Sequence, residues 1–309
     1  MYRILSIDGG GIRGLIPATI LATIECRAGK PIGQLVDLVA GTSTGGIIAA
    51  AVGAGIPMGR VKQLYSQQGQ QIFSRGPGQE LESLGGLTDV KYSAKGLESC
   101  LAELFLDRHL SETGPAEVLI TSCHLSGEPH LFKSHKAKAS RGDDYLLTEV
   151  TRATSAAPTY FEPAEVKDLA GVVTRHLVDG GLAANDPAMC AVVEAPMVGG
   201  RIEDLTVISI GTGADQSGMT IKAAQHCGLL NGGLGIVKMV FNGSAASVDY
   251  QCRQLLGGRY IRLQPTLPRP MDMDATDQDT LATLEGLAAQ ICESPEFEHV
   301  LEVLGLKEG

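Results

Sequence analysis

Short apolar runs alternate along the chain with glycine-rich turns and with longer segments whose apolar residues recur every three or four positions. Arg3 to Ile7 reads as a first strand, and a helix follows from about Leu15 to Arg27, with Pro17 suited to its first turn. Leu35, Val36, Leu38 and Val39 form a second apolar run, and Ile47 to Val52 opens a small-residue helix. Met58 to Phe73 places Val61, Leu64, Tyr65 and Ile72 roughly on one helical face. Gly96 to Asp107 is a further helix, Glu117 to Ser122 and Pro129 to Ser134 are strands, and Tyr145 to Ala157 is a helix stopped by Pro158. Arg175 to Val178 and Leu205 to Ile210 read as strands, with a helix over Ala188 to Met197 between them. Beyond them, Ile221 to Leu256 is mostly helical with a break at Asn231-Gly232-Gly233. Arg259 to Leu263 is a short strand, and Asp277 to Leu306 is terminal helix broken near Ser294-Pro295.

Strands alternating with helices predict an α/β fold, a mostly parallel central sheet flanked by helices. No repeat or linker interrupts the pattern. A single domain over 1–309 is expected, with a core of about 1–215 and a helical C-terminal extension of about 219–309. The glycine-rich stretch Ser74 to Ser93 breaks the periodicity and reads either as a mobile cover over the sheet edge or as an ordinary surface loop.

Three strand ends carry glycines together with a reactive or polar group. The first strand runs into Asp8-Gly9-Gly10-Gly11-Ile12-Arg13-Gly14, a nest of backbone N–H groups suited to an anion. Its G-x-G-x-x-G spelling also allows a dinucleotide site, but that reading needs an acidic residue at the end of the second strand. Asp37 lies before or inside that strand. The second strand ends in Gly41-Thr42-Ser43-Thr44-Gly45, a G-x-S-x-G turn that lifts one serine hydroxyl to the start of a helix. Gly41 and Gly45 remove the side chains that would clash there. The third is Asp179-Gly180-Gly181, followed by the turn and helix start Asn185-Asp186-Pro187. Taken alone, Ser43 could be an incidental turn serine, Asp179 a turn or cap carboxylate, and Arg13 a salt-bridge partner on the first helix. His176 reads as an ordinary strand residue, and Tyr160 and Phe161 as core.

Composition narrows the partners. With 44% hydrophobic residues and no charge block, the chain should fold around a substantial core, and its 39 glycines suit many tight turns between strands and helices. A net charge of −10 argues against a surface that coats a nucleic-acid polymer. The seven cysteines, Cys26, Cys100, Cys123, Cys190, Cys227, Cys252 and Cys292, contain no C-x-x-C and read mostly as buried thiols of a reducing compartment. No apolar run reaches transmembrane length, and the N-terminus passes directly into a strand, so a cytoplasmic protein is expected. No His/Asp/Glu cluster has ligand spacing, so neither metal nor cofactor is expected.

These residues carry a resemblance. The chain resembles the patatin-like phospholipases, lipid acyl hydrolases of bacteria and plants. The resemblance rests on four motifs: Asp8 to Gly14, Gly41 to Gly45, Ala153 to Phe161 (Ala-Thr-Ser-Ala-Ala-Pro-Thr-Tyr-Phe) and Asp179-Gly180-Gly181. They stand in the family's order within about 1–215, and the combination is far more specific than any one of them. One departure is Asn185-Asp186-Pro187, where the family commonly has Asn-Asn-Pro.

The resemblance implies a three-layer α/β/α fold and a Ser–Asp dyad, with Ser43 as nucleophile and Asp179 as its partner. It also implies an oxyanion hole on the glycine loop around Gly9, Gly10 and Gly11, with Arg13 nearby. The expected substrate is membrane glycerophospholipid, met at the inner membrane surface. Short bacterial members include antiphage effectors switched on by a cyclic oligonucleotide. A cyclic-nucleotide activator is therefore a candidate partner, as is a second copy of the chain. Two alternatives stay open: a Ser–His–Asp carboxylesterase using Ser43, Asp179 and His226 or His299, and a non-catalytic lipid-binding protein of the same fold.

Overall fold

The computed structural model describes residues 1–74, 90–215 and 229–306. Most of the Ser74 to Ser93 stretch, and all of His226 and Cys227, lie outside them.

Among the described residues, eight strands form one sheet: β1 (Tyr2–Ile7), β2 (Leu38–Thr42), β3 (Glu117–His124), β4 (Pro129–Lys133), β5 (Ala164–Lys167), β6 (Thr174–Asp179), β7 (Leu205–Ile210) and β8 (Tyr260–Leu263). The helices, in chain order, begin with α1 (Leu15–Ala28), α2 (Thr44–Gly53), α3 (Met58–Ile72), α4 (Lys95–Phe105), α5 (Ser134–Ala139) and α6 (Leu147–Thr154). They continue with α7 (Gly181–Ala184), α8 (Ala188–Glu194), α9 (Leu229–Leu256), α10 (Gln278–Cys292) and α11 (Pro295–Val303).

Five strands, in the order β3-β2-β1-β7-β8, run parallel, as expected for strands separated by helical crossovers. The margin beyond β3 is antiparallel: β4 and β6 both oppose β3, and β5 opposes β6. Registers place β4 on one edge of β3, because Thr121 pairs with both Thr42 and Leu131, and Ser122 with both His130 and Asp179. The other edge is shared. β2 takes Glu117 to Thr121 and β6 takes Ser122 to His124, from opposite directions. The two strands therefore meet tip to tip.

Alternation along the strands builds two cores. Leu5, Ile7, Val39 and Ile120 face one side, where α1, α2, α3 and α10 pack. Ile4, Leu38, Leu119 and Val207 face the other, against Ala188, Ala191 and Val192 of α8 and Cys252 and Leu256 of α9. Helix α2 is apolar on every side and wholly buried between sheet and helices. Burying a side chain such as Ile47 or Ile48 contributes about 1.5–3 kcal/mol, so the element that carries the serine turn is also one of the most firmly held.

Two readings need correction. Helix α9 continues through Gly232-Gly233, where a break was expected; two glycines weaken a helix without ending it when its other turns pack, as Phe241, Cys252 and Leu256 do here. Strand β5 was not foreseen, its four residues being too short for a period to register. The short strand expected over Arg259 to Leu263 is β8, and it extends the sheet by pairing with β7. Cys100, Cys123, Cys252 and Cys292 are buried thiols, whereas Cys26 is exposed. Among the described residues, no helix is long and apolar enough to cross a membrane.

Candidate active site

Ser43 stands between β2 and α2 with φ 55° and ψ −121°, a backbone conformation that L-residues rarely adopt. Such a residue carries strain of about 1–3 kcal/mol, which the surroundings must hold. They do so at several points. Its N–H donates to Thr154 Oγ1 at the end of α6 (2.7 Å), and its carbonyl accepts from Ile47 N–H (3.0 Å) in the first turn of α2. A Cβ on Gly41 would strike the backbone of Gly45, and one on Gly45 would strike the Ile7 carbonyl. Only glycines let the turn close this tightly over the end of β1. The result is a serine hydroxyl at the positive end of a ten-residue helix.

Asp179 arrives from the other direction. It is the last residue of β6, opposite Ser122, while the residue before Ser43 lies opposite Thr121. The tip-to-tip meeting of β2 and β6 thus brings together two residues 136 positions apart in the chain, one on each strand end. Asp179 is completely buried. Its Oδ1 accepts from Gly181 N–H at 2.7 Å, whereas Oδ2 is buried with no hydrogen-bond partner. Burial pushes this carboxyl up to about 7, against the opposing pull of the Gly181 amide and the Ser43 hydroxyl. A base with that proton affinity is matched to neutral pH.

The glycine loop divides its donors. Gly9 N–H is engaged by the Asn185 carbonyl (3.0 Å), Ile12 N–H by the Met273 carbonyl (2.8 Å) and Arg13 N–H by the Gly10 carbonyl (3.3 Å). Gly10 and Gly11, the latter at φ +60°, line the pocket that holds Ser43. Gly9 and Arg13 face a separate polar cavity on the other side of the loop. Of the four residues expected at an oxyanion hole, Gly10 and Gly11 line the Ser43 pocket, and the N–H groups of Gly9 and Arg13 are engaged by backbone carbonyls. Arg13 supports the loop, its Nε donating to the Gly10 carbonyl at 3.3 Å.

A buried clamp holds the base of this loop. Arg262 on β8 donates to both oxygens of Asp8 (2.8 and 2.5 Å) and to Ser209 Oγ (2.6 Å), and it lies 3.4 Å from Asp186. Asp186 in turn accepts from Ser6 Oγ (3.0 Å) and Ala188 N–H (2.9 Å). The acid in Asn185-Asp186-Pro187 thus has a guanidinium to meet it. Nothing in the sequence near residue 186 signals this, because the partner lies on a strand 76 residues later.

The Ser43 pocket is small, about 50 Å³, and mostly apolar. Ile47, Ile72, Phe73, Leu97, Tyr160 and Phe161 line it, with Phe241 of α9 and Met273 from the C-terminal region. Tyr160 and Phe161, expected as plain core, are buried and also form its wall, with Phe161 stacked on Phe73. Ser155 Oγ, a buried hydroxyl without a hydrogen-bond partner, also belongs to a residue on this wall. Among the described residues no histidine lines the pocket. His299 sits on α11, half-exposed beside Glu302 (3.2 Å), and His176 is exposed on β6. The arrangement can present a serine oxygen to a carbonyl, accept its proton, and hold an oxyanion on two amides, beside an apolar recess.

Residues 5–192 match the family model described as patatin-like phospholipase. A cGAMP-activated phospholipase of Pseudomonas aeruginosa is 30% identical over 294 residues, covering 93% of this chain and 85% of that protein. One of Vibrio cholerae is 30% identical, covering 93% and 88%. Patatin-like protein 2 of Arabidopsis thaliana is 33% identical, covering 93% and 80%.

Proposed function

As the chain belongs to the patatin-like phospholipase family, we propose that it hydrolyses acyl esters of membrane glycerophospholipids with a Ser43–Asp179 dyad. Ser43 Oγ attacks the acyl carbonyl carbon while its proton passes to Asp179 Oδ2. The carbonyl oxygen becomes an oxyanion, held by the N–H groups of Gly10 and Gly11 and favoured by the positive end of α2. Collapse expels the alcohol, which takes the proton back from Asp179, and leaves the acyl group on Ser43. Water then attacks the acyl-enzyme carbonyl, Asp179 again taking the proton; collapse breaks the ester bond to Ser43 Oγ, which takes that proton from Asp179, and the fatty acid leaves.

The observation that carries this reading is the wholly buried Asp179 Oδ2, which among the described residues is in no hydrogen bond of ordinary geometry, on a carboxyl that the Ser43 hydroxyl acts on, at the junction where β6 meets the serine turn. A buried acceptor without a donor costs about 1–3 kcal/mol, a cost that makes sense where a proton is to be received. The test is fatty-acid release from phospholipid vesicles by the wild type, Ser43→Ala and Asp179→Ala. Release by the wild type that both substitutions abolish supports the dyad; release by either variant refutes it.

Regulation by a cyclic nucleotide is the second part of the proposal. Two relatives are described as cGAMP-activated. The Ser43 pocket, about 50 Å³, is well below the roughly 150 Å³ that admits a benzene-sized guest. An acyl chain needs more room, so a wider state must be reached before turnover, and a ligand that prefers that state would switch the enzyme on. Vesicle hydrolysis that rises with added cGAMP supports this; full activity unchanged by any cyclic dinucleotide counts against it.

A further inference from the structure

The polar cavity across the glycine loop has a chemistry opposite to that of the Ser43 pocket. It measures about 280 Å³, and its walls include Arg13, Asn185, Asp249 and Arg253. A narrow neck shares Gly9, Arg13 and Asn185 with this cavity, and Phe241 and Met273 with the Ser43 pocket. The three spaces therefore line up as a track along the glycine loop, from the apolar recess through the neck to the polar cavity, with Phe241 and Met273 as the shared wall between recess and neck.

Two acceptors on this track have no donor. Asn185 is only 7% exposed, and its Oδ1 has no hydrogen-bond partner. Asp249 Oδ1 is also shielded from solvent and unpartnered, on a side chain that is 30% exposed and whose Oδ2 accepts from Arg253 Nε at 2.8 Å. Native proteins leave few buried acceptors unpaired, and those they do leave call for a donor from outside the chain. A carboxylate and an amide oxygen together suit an ammonium group, which brings three N–H donors and a positive charge. The Arg13 guanidinium, between neck and cavity, supplies the opposite charge.

Resting on the hydrolase reading above, we infer that this cavity is the head-group subsite and selects a zwitterionic, ammonium-bearing head group such as phosphoethanolamine over phosphoglycerol. An ester carbonyl at Ser43 and the Gly10 and Gly11 amides has its acyl chain in the apolar recess. The alcohol half then leaves through the neck. Its phosphate passes Arg13, and its ammonium reaches Asn185 Oδ1 and Asp249 Oδ1. Phosphoglycerol can donate hydroxyls there but brings no second positive charge to the Asp249 carboxylate beside that of Arg253.

The test is hydrolysis of vesicles containing equal phosphatidylethanolamine and phosphatidylglycerol, so that both lipids compete in one bilayer. The two lysolipids are quantified for the wild type and Asp249→Asn, with thermal melting to show that the variant folds. The wild type should release the ethanolamine lysolipid in excess by about tenfold, the scale of one charge-assisted contact. Asp249→Asn should bring the ratio close to one. Soluble glycerophosphoethanolamine should inhibit the wild type more strongly than glycerophosphoglycerol. An even wild-type ratio, or an excess that Asp249→Asn leaves intact, overturns the inference. Cleavage of p-nitrophenyl butyrate, which has no head group, separates the two failures. If that ester is hydrolysed and the lipid ratio is even, only the subsite is wrong; if nothing is hydrolysed, the hydrolase reading falls and the subsite with it.

Discussion

Two buried aspartates flank the site, and their surroundings differ in one respect that decides what each can do. Asp179 and Asp8 are both sealed from water, and burial raises both carboxyls. Asp8 faces the Arg262 guanidinium in a two-pronged contact, with Asp186 on the same cation. Asp179 has no cation; one oxygen is bound by the Gly181 amide and the other is unpartnered. A carboxylate matched to a guanidinium is fixed in place as a structural anion. One that is desolvated and half satisfied is ready to take a proton. The same residue type thus serves as a clamp at the base of the glycine loop and as the proposed base beside the serine.

The largest effects should come from the unclamped side. Ser43→Ala and Asp179→Asn should each lower the rate of fatty-acid release by about a thousandfold or more, and the double variant should be no worse than either single one, because the two act as a unit. Additive losses in a kinetic comparison of the three would break the pairing. Next comes the clamp. Arg262→Met leaves Asp8 and Asp186 buried without their cation and should cost about 3–5 kcal/mol of stability, read as a lowered urea midpoint. A midpoint within about 0.5 kcal/mol of the wild type would show that the pair is not a clamp.

A smaller effect follows from the sign of the Asp179 shift. Its folded-state pKa, raised from 3.8 to about 7, means that the native state holds the proton more tightly than the unfolded chain between those values. Stability associated with this group is therefore present at low pH and lost as pH rises towards 7. Asp179→Asn should melt higher than the wild type at pH 8, and the gap should shrink towards pH 5. A variant less stable than the wild type at pH 8 would contradict the assigned burial cost. Last, His299→Ala should leave turnover unchanged within error, since His299 lies on α11 beside Glu302 and not on the pocket wall.

The two sides were not equally legible in the sequence. The serine turn was plain, because G-x-S-x-G between an apolar strand and a small-residue helix is a local pattern with a local cause. Asp179 could be paired with Ser43 only through family resemblance; no spacing tells that β6 runs antiparallel and stops at the tip of β2. Arg262 was invisible. A lone arginine in a short strand has no pattern, and its meaning comes from Asp8 and Asp186, 254 and 76 positions away. Gly9 and Arg13 were placed at the oxyanion hole through the family resemblance, and no sequence pattern told that their N–H groups are engaged by the Asn185 and Gly10 carbonyls. Phe241 and Met273 belong to the wall for a similar reason: they come from the region beyond residue 215, where the motifs end and the packing does not.

The account stands or falls on whether Asp179 takes the serine proton. The direct measurement is kcat/KM for a soluble ester between pH 5 and 9, for the wild type and Asp179→Asn. The wild type should rise through a single ionisation near pH 7 and level off above it, as the Asp179 carboxyl loses its proton, and Asp179→Asn should be flat and about a thousandfold lower. A wild-type profile already level at pH 5, or a variant that keeps the wild-type rate and ionisation, would contradict it.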